Sequence, residues 1–323
     1  ATTVHVPIGK PYIIVGDKEV PNDTAALIQN DRTYLPIRAV LEAFDAYVSW
    51  DATQNSVAVD TTSPLLRVRF LDVGQGDTIL IDMGATEILI DGGDNKAGKT
   101  VVKDIKPYID DQLDYIIATH PDADHIGGLD NVLEAFSVGE VIDSGKKTDS
   151  ATYRAYQNAA KSEVGCTLSL DENRVIPIGT DASLRIIETG DNLSTANDNS
   201  VIALLTYKNT TVLLTGDMSQ TIERAQLSLF SDVDVLKVGH HGSATSSCQE
   251  FLSVVKPEYA VISYKPGNTY HHPTSATLHR LLERGTIAYG TGKSGTIVLS
   301  TNGTAYSFNK SNPLLYEDAG DAA

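Results

Sequence analysis

Only two cysteines, Cys166 and Cys248, occur in the 323 residues. That is too few for a disulfide framework or a thiolate zinc site, and it leaves one bridge or two separate thiols open. Long apolar runs are also missing: no stretch of 18 such residues exists, so nothing reads as a membrane-spanning helix. Positive charge is scarce. Lys and Arg number 25 against 42 Asp and Glu, a formal net charge of −17, which argues against coating DNA or an anionic membrane by bulk charge. A nuclease is still allowed, because bound cations supply positive charge where it is needed. The chain opens Ala1-Thr2-Thr3 without a Met, as after removal of a leader or other trimming. Ser243 lies in no Gly-x-Ser-x-Gly elbow, which removes a serine-nucleophile reading. The Gly-rich stretch at 74–76 precedes a strand rather than a helix, which removes dinucleotide binding.

What is present is globular. Hydrophobic residues make up 41% and charged residues 21%, and the length implies at least two folding units. Residues 1–63 read as a small α+β domain: strands at 12–15 and 18–20 around a Gly16-Asp17 turn, a helix over 36–44, and short strands at 48–50 and 57–59. Thr61-Thr62-Ser63-Pro64 breaks the pattern and sets the boundary. Residues 64–310 form a second domain, and 311–323 read as a tail. Within 64–310 two hairpins share one layout. The first ends at Asp91-Gly92-Gly93, the second at Thr215-Gly216-Asp217. Helical stretches are expected near 99–109, 127–136, 152–161, 219–229 and 274–284. The expected class is α/β, with sheets sandwiched by helices in two similar halves.

The strongest chemical signal is Thr119-His120-Pro121-Asp122-Ala123-Asp124-His125-Ile126-Gly127-Gly128, directly after the apolar strand Tyr115-Ile116-Ile117-Ala118. Four ligand-type side chains fall within six residues on a loop that lets them converge. Buried together without a cation, the two carboxylates would repel and pay a large desolvation cost. Three weaker signals follow: Lys237-Val238-Gly239-His240-His241-Gly242-Ser243, the strand-end Asp217, and Asn268-Thr269-Tyr270-His271-His272-Pro273. Together with the first they supply the ligand types of a two-metal centre.

With Asp72-Val73-Gly74-Gln75-Gly76-Asp77, Ile90-Asp91-Gly92-Gly93 and Asn199-Ser200, these motifs resemble, in order over about 65–300, the metallo-β-lactamase superfamily. Within it they resemble the hydrolase domain of ComEC-type competence proteins and their secreted relatives. The resemblance implies an αββα sandwich with a dinuclear metal site at the strand edges. It implies His120 and Asp122 on one metal, Asp124 and His125 on the other, Asp217 bridging, and one histidine of the 240–241 pair as the late ligand. His240 is favoured, as the first residue beyond Gly239, with His241 then facing substrate. The superfamily's usual His stands as Asp122 here, and the usual His before the second hairpin is replaced within Ala196-Asn197-Asp198-Asn199. Both changes exchange nitrogen for oxygen, which leaves manganese and zinc level. Residues 10–60 resemble the copper amine oxidase N-terminal-like, or stalk, domain through Asn30 to Arg38, Glu42-Ala43 and Val48 to Asp51, with Asp45 where a Gly is usual. That implies a secreted or cell-surface accessory module. It implies no copper, since His5 alone is not a copper site.

The expected function is a secreted hydrolase in which two divalent metal ions activate hydroxide. Asp124 and Asp217 hold the metals, and His241 and His272 are the candidates to protonate the leaving group. Asp72, Gln75, Asp77, Asp91, Asn199, Ser243, Asn268 and Tyr270 shape the site around them. A phosphodiesterase acting on DNA leads. A phosphoesterase on a cell-surface polymer, such as a phosphorylcholine or teichoic acid ester, is the alternative. A binding module without turnover is disfavoured by the full ligand set, and a β-lactamase by Asp122 and Asn199. Lys237, Lys265 and Lys293 are expected to form a local basic strip for a polyanion.

Overall fold

The computed structural model describes residues 3–51, 53–110, 112–190 and 193–321. Ala1 and Thr2, on which the reading of the chain start rests, lie outside the described residues, as do Ala322 and Ala323. Two large sheets span Leu66 to Phe308. The first has the order Thr167–Leu170, Val138–Asp143, Leu113–Ala118, Thr86–Ile90, Ile79–Met83, Leu66–Phe70, Ile297–Thr301, Tyr306–Phe308. The second has the order Arg174–Ile178, Ala182–Ile187, Ile202–Tyr207, Thr210–Leu214, Val235–Lys237, Tyr259–Ile262, Ile287–Gly290. In each, an antiparallel hairpin (79–83 with 86–90; 202–207 with 210–214) hands over to parallel strands. The two similar halves expected from the sequence are therefore present.

Layering follows from which side chains are apolar on both faces. In the strands next to the hairpins, Ile116, Ile117 and Ala118 and all of Val235–Lys237 are buried, because both faces are covered. One core lies between the sheets, from Val68, Ile81 and Ile117 on one side to Leu184, Leu205 and Val261 on the other. A second lies between the first sheet and helices Gly98–Ile105, Leu129–Ala135 and Ala151–Ser162, through Val101, Leu129, Val132 and Tyr156. A third joins the second sheet to Gln220–Ala225, Gln249–Val255 and Ser275–Leu282, through Ile222, Phe251 and Leu278. The result is four layers, αββα. Helix Gln249–Val255 has no counterpart in the sequence reading.

The first sixty residues carry a three-stranded sheet (Val4–His5, Tyr12–Val15, Lys18–Pro21), hairpins Leu27–Gln29/Arg32–Tyr34 and Tyr47–Asp51/Ser56–Asp60, and helix Ile37–Glu42. They meet the sandwich through Lys18, which donates to the Ile109 carbonyl at 2.8 Å and pairs with Asp110 at 3.0 Å. Asn302 Nδ2 reaches Asp60 Oδ2 at 2.6 Å. Residues 311–321, expected as a tail, instead return to the sandwich. Leu314 is buried in the third core and its N–H donates to the Ala288 carbonyl at 2.6 Å, while Asp321 Oδ1 accepts from Ser275 N. Leu314 and Ala319, two apolar anchors without periodicity, hold this segment and leave no pattern to read. Both cysteines are free thiols, and Cys248 accepts from Phe251 N at the start of helix Gln249–Val255.

Candidate metal centre

Strand ends build the site. Asp91 follows Thr86–Ile90, Thr119 and His120 follow Leu113–Ala118, Asp217 follows Thr210–Leu214, and His240 and His241 follow Val235–Lys237. At the carboxyl ends of such strands the backbone turns away and leaves a crevice into which side chains converge. Two close approaches shape its floor. Gly76, at φ +131°, lies so near the 120–125 loop that a Cβ would sit 2.2 Å from the Asp124 carbonyl oxygen. His240 and His241 both take left-handed backbone at φ 50° and 54°, a conformation costly for non-glycine residues and held only where the surroundings enforce it. It turns both rings toward Asp217.

Asp217 is the hub. Its Oδ1 lies 3.3 Å from His125 Nε2. Its Oδ2 lies 3.5 Å from His241 Nε2, 3.8 Å from His240 Nε2 and 3.9 Å from His120 Nε2. Asp122 Oδ2 stands 3.6 Å from His120 Nε2, and Asp124 Oδ2 stands 3.3 Å from His241 Nε2. Ligand atoms of Asp77, His125, Asp217 and His241 all fall within 4.8 Å of one another, and all four residues are buried.

The outer nitrogens explain why the inner ones are free. His125 Nδ1 bonds Asp91 Oδ2 at 2.7 Å, and Asp91 is fully buried. Thr119 Oγ1 donates to the same carboxylate at 2.7 Å and meets His120 Nδ1 at 3.0 Å. His241 Nδ1 faces the Ser263 carbonyl at 3.1 Å. Each ring thus donates from Nδ1 and turns the lone pair on Nε2 inward, the arrangement by which an outer partner fixes a metal-ligating imidazole. His120 Nε2, His125 Nε2, His241 Nε2 and Asp217 Oδ1 are buried with no hydrogen-bond partner. Such a set of inward, unsatisfied lone pairs costs free energy unless a cation occupies the centre. The residues therefore fit a site for one or two divalent ions, with nitrogen and oxygen ligands and no thiolate.

Charge tells the same story. Burial alone would raise Asp217, but the field of His125 and His241 outweighs it and holds the carboxyl well below its usual range. Burial likewise opposes charging of His125 and His241. Asp217 and Asp91 together override it at His125, raising that ring well above an ordinary imidazole, and Asp217 with Asp124 and Asp77 pushes His241 up to about 10. Without metal, protons on Nε2 supply the positive charge that the buried carboxylates require. A metal must displace them, so binding releases protons and tightens as pH rises. Titration with Mn²⁺ or Zn²⁺ at pH 7 in buffers of different ionisation enthalpy is expected to report release of about two protons. No release would show that these two rings do not coordinate.

The other sequence-derived residues divide. Asp77 is buried 2.7 Å from Lys237 Nζ, with its other oxygen 3.5 Å from His241 Nδ1. Burial would raise Asp77, and Lys237, His241 and His125 together more than offset it. Lys237 is fully buried, so it forms no part of a surface strip, and Lys293 is tied to Asp318 at 2.7 Å; of the three lysines only exposed Lys265 remains free for one. Asn199 does not face the centre. It clamps its own loop, accepting from Leu193 N at 3.0 Å and donating to the Leu193 carbonyl at 3.1 Å. Asn197 faces the mouth instead, 3.3 Å from a ring nitrogen of His240. Gln75 Oε1 accepts from Lys265 N at 3.4 Å, Asp72 is exposed and accepts from Gly74 N, and Ser243 Oγ bonds Thr245 Oγ1. His240 keeps part of its side chain exposed at the mouth, whereas His241 is buried among the carboxylates. His272 packs against both. Its burial, reinforced by His240 and His241, drops it to about 4, so it is neutral near pH 7. Thr119, Asn197 and the Ser263 carbonyl were not singled out from the sequence. A hydroxyl beside a ligand motif, an amide in a polar loop and a backbone carbonyl carry no distinctive pattern.

A sandwich of this order with a dinuclear-type centre at its strand ends defines a metal-dependent hydrolase of the metallo-β-lactamase superfamily. The chain belongs to that superfamily, whose model matches residues 71–265, and the copper amine oxidase N-terminal domain model matches residues 1–59. The chain is 30% identical over 241 residues to Recombination protein 2 of Haemophilus influenzae, over 260 residues to ComE operon protein 3 of Bacillus subtilis and over 232 residues to Competence protein ComA of Neisseria gonorrhoeae. The matches take in 73%, 71% and 70% of this chain but 29%, 32% and 31% of those proteins, so it spans about a third of their length. Among solved structures, the metallo-β-lactamase fold protein YhfI of Bacillus subtilis aligns with a TM-score of 0.50 at 13% identity, over 73% of this chain and all of that one. No helix among the described residues is long and apolar enough to cross a membrane.

Proposed function

We propose that the protein is a phosphodiesterase acting on nucleic acid at the Asp217 centre, outside the cell or at its surface. The observation that carries this is the similarity of the site-bearing part to proteins named for recombination and for competence, both processes that handle DNA. The ligand set supports it, since oxygen-rich sites favour hard phosphoryl substrates and manganese as well as zinc. Residues 1–63 act as an accessory domain and 64–310 as the hydrolase.

When bound, the divalent ions supply Lewis acidity and lower the pKa of water. In this reading His120, Asp122, Asp124, His125, Asp217 and one of the 240–241 histidines hold them. We favour His241 over His240, because its Nε2 is buried and unpartnered between Asp124 and Asp217. Asp91, Thr119 and the Ser263 carbonyl keep the rings oriented. His272, neutral at working pH, serves as an N–H donor to a phosphoryl oxygen rather than as a strong acid. His240, at the mouth, exchanges protons with solvent as the ester oxygen leaves.

The test is turnover of single-stranded DNA, double-stranded DNA, a teichoic acid, a chromogenic phosphodiester and a chromogenic β-lactam, with Mn²⁺ and Zn²⁺ in turn. Metal-dependent diester cleavage without β-lactam cleavage is the expected result, and the reverse overturns the reading. A polyanionic substrate predicts more. Affinity for DNA falls with salt through counterion release, by about one power of salt concentration for each lysine–phosphate contact, and Lys265→Glu raises KM for DNA by about tenfold, on the order of one lost phosphate contact, while sparing the small diester. Equal effects on both substrates favour the surface-polymer ester.

A further inference from the structure

Tyr270 is the most exposed aromatic side chain among the described residues, at 64%, and it stands beside the metal centre. Its ring stacks on His272 with centroids 5.7 Å apart and planes inclined by 27°. His272 in turn lies 5.5 Å from the His240 ring and 6.5 Å from the His241 ring. Tyr270 is therefore two ring spacings from a ring that touches Asp217, with one face backed by imidazole.

The loop that carries it is fixed. Asn268 Oδ1 accepts from Tyr270 N and from His272 N, both at 3.1 Å. Asn268 Nδ2 donates to the carbonyls of Lys265 at 2.8 Å and His272 at 2.6 Å. From outside, Gly320 N donates to the Pro273 carbonyl at 2.8 Å, and His271 Nδ1 meets the Gly320 carbonyl at 3.2 Å. An exposed ring on a braced loop loses little freedom when it is covered, which makes it an efficient stacking surface.

Resting on the phosphodiesterase reading above, we propose that Tyr270 is a stacking platform for an unpaired nucleobase next to the scissile phosphate. The substrate class is then single-stranded nucleic acid. A base-paired duplex keeps its bases stacked on one another and offers no free face, and a glycerol- or ribitol-phosphate polymer has no planar group to place there. Every base has a π-face, so such a contact is tolerant of sequence. Lys265, exposed on the same loop, lies within reach of the backbone.

The test uses the full chain loaded with Mn²⁺. Substrates are single-stranded oligomers of one base, in deoxyribo and ribo form, and a deoxy oligomer of equal length with abasic residues throughout. The readout is the ratio of KM on the abasic oligomer to KM on the base-bearing one. Wild type is expected to give a ratio of about 10 to 100, the size of one base–aromatic contact. Tyr270→Ala brings the ratio near one, and Tyr270→Phe retains it, which separates stacking from loss of the hydroxyl. Matching urea unfolding curves show that the variants fold. The deoxy and ribo arms reveal which backbone is accepted. A wild-type ratio near one on the deoxy pair, or an unchanged ratio in Tyr270→Ala, overturns the stacking inference alone. Cleavage of no phosphodiester by wild type overturns the phosphodiesterase reading and the inference with it.

Discussion

Asp217→Asn lowers kcat/KM by at least about a thousandfold, or ~4 kcal/mol of transition-state stabilisation, and strips the centre of metal. The expectation follows from the position of one carboxylate. Its two oxygens meet four histidine nitrogens at 3.3 to 3.9 Å, and among the described residues no other contacts as many candidate ligands. The amide preserves volume and removes the charge that both ions would share. It also leaves His125 and His241 with less reason to be protonated in the absence of metal. Metal content by atomic absorption, read alongside turnover, distinguishes a lost ligand from a misfolded protein. Near wild-type turnover with full metal content would refute the role of Asp217 as the shared ligand.

The second large effect concerns stability. Lys237→Met lowers the unfolding free energy of the metal-free protein by about 3–5 kcal/mol, the usual cost of leaving a buried charge without its partner. Lys237 is fully buried and its Nζ lies 2.7 Å from Asp77 Oδ2. Its ammonium also donates to the Val238 carbonyl at 3.0 Å. Burial opposes the charged carboxylate, and Lys237 with His241 and His125 outweighs it, so the folded pKa of Asp77 is depressed. The sign is then fixed. The stabilisation is present above the ordinary carboxylate range and is lost as pH falls below it. The deficit of Lys237→Met measured by urea unfolding should therefore be largest near neutrality and shrink in acid. Adding Asp77→Asn to Lys237→Met should recover part of the loss at pH 7. A deficit below 1 kcal/mol, or one independent of pH, would show that the pair carries no such load.

Some of this was legible in the residues. The packed motif from His120 to His125 carries its meaning locally, because two carboxylates and two imidazoles on one short loop have few uses without a cation. The hairpins ending at Asp91 and Asp217 could be read from apolar strands and their turns, and they gave the paired halves of the sandwich. Lys237 held a signal that was misread. A lone lysine inside Val235-Leu236-Lys237-Val238 marks a buried charge needing a partner, since an apolar strand covered on both faces has no solvent side for an ammonium to reach.

What the chain order could not specify is which side chains meet. Asp77 and Lys237 are far apart in sequence, and only the closing of the two sheets brings them to 2.7 Å. The choice between neighbouring His240 and His241 turns on left-handed backbone at both, a conformation enforced by surroundings and not by residue type. Asn199 and Asn197 are chemically identical and two positions apart, yet one clamps a loop and the other reaches His240. Local pattern determines elements because propensity and periodicity act over a few residues. Ligand geometry, protonation and the exposure of Tyr270 depend on what packs against each group, and the tertiary structure alone decides that.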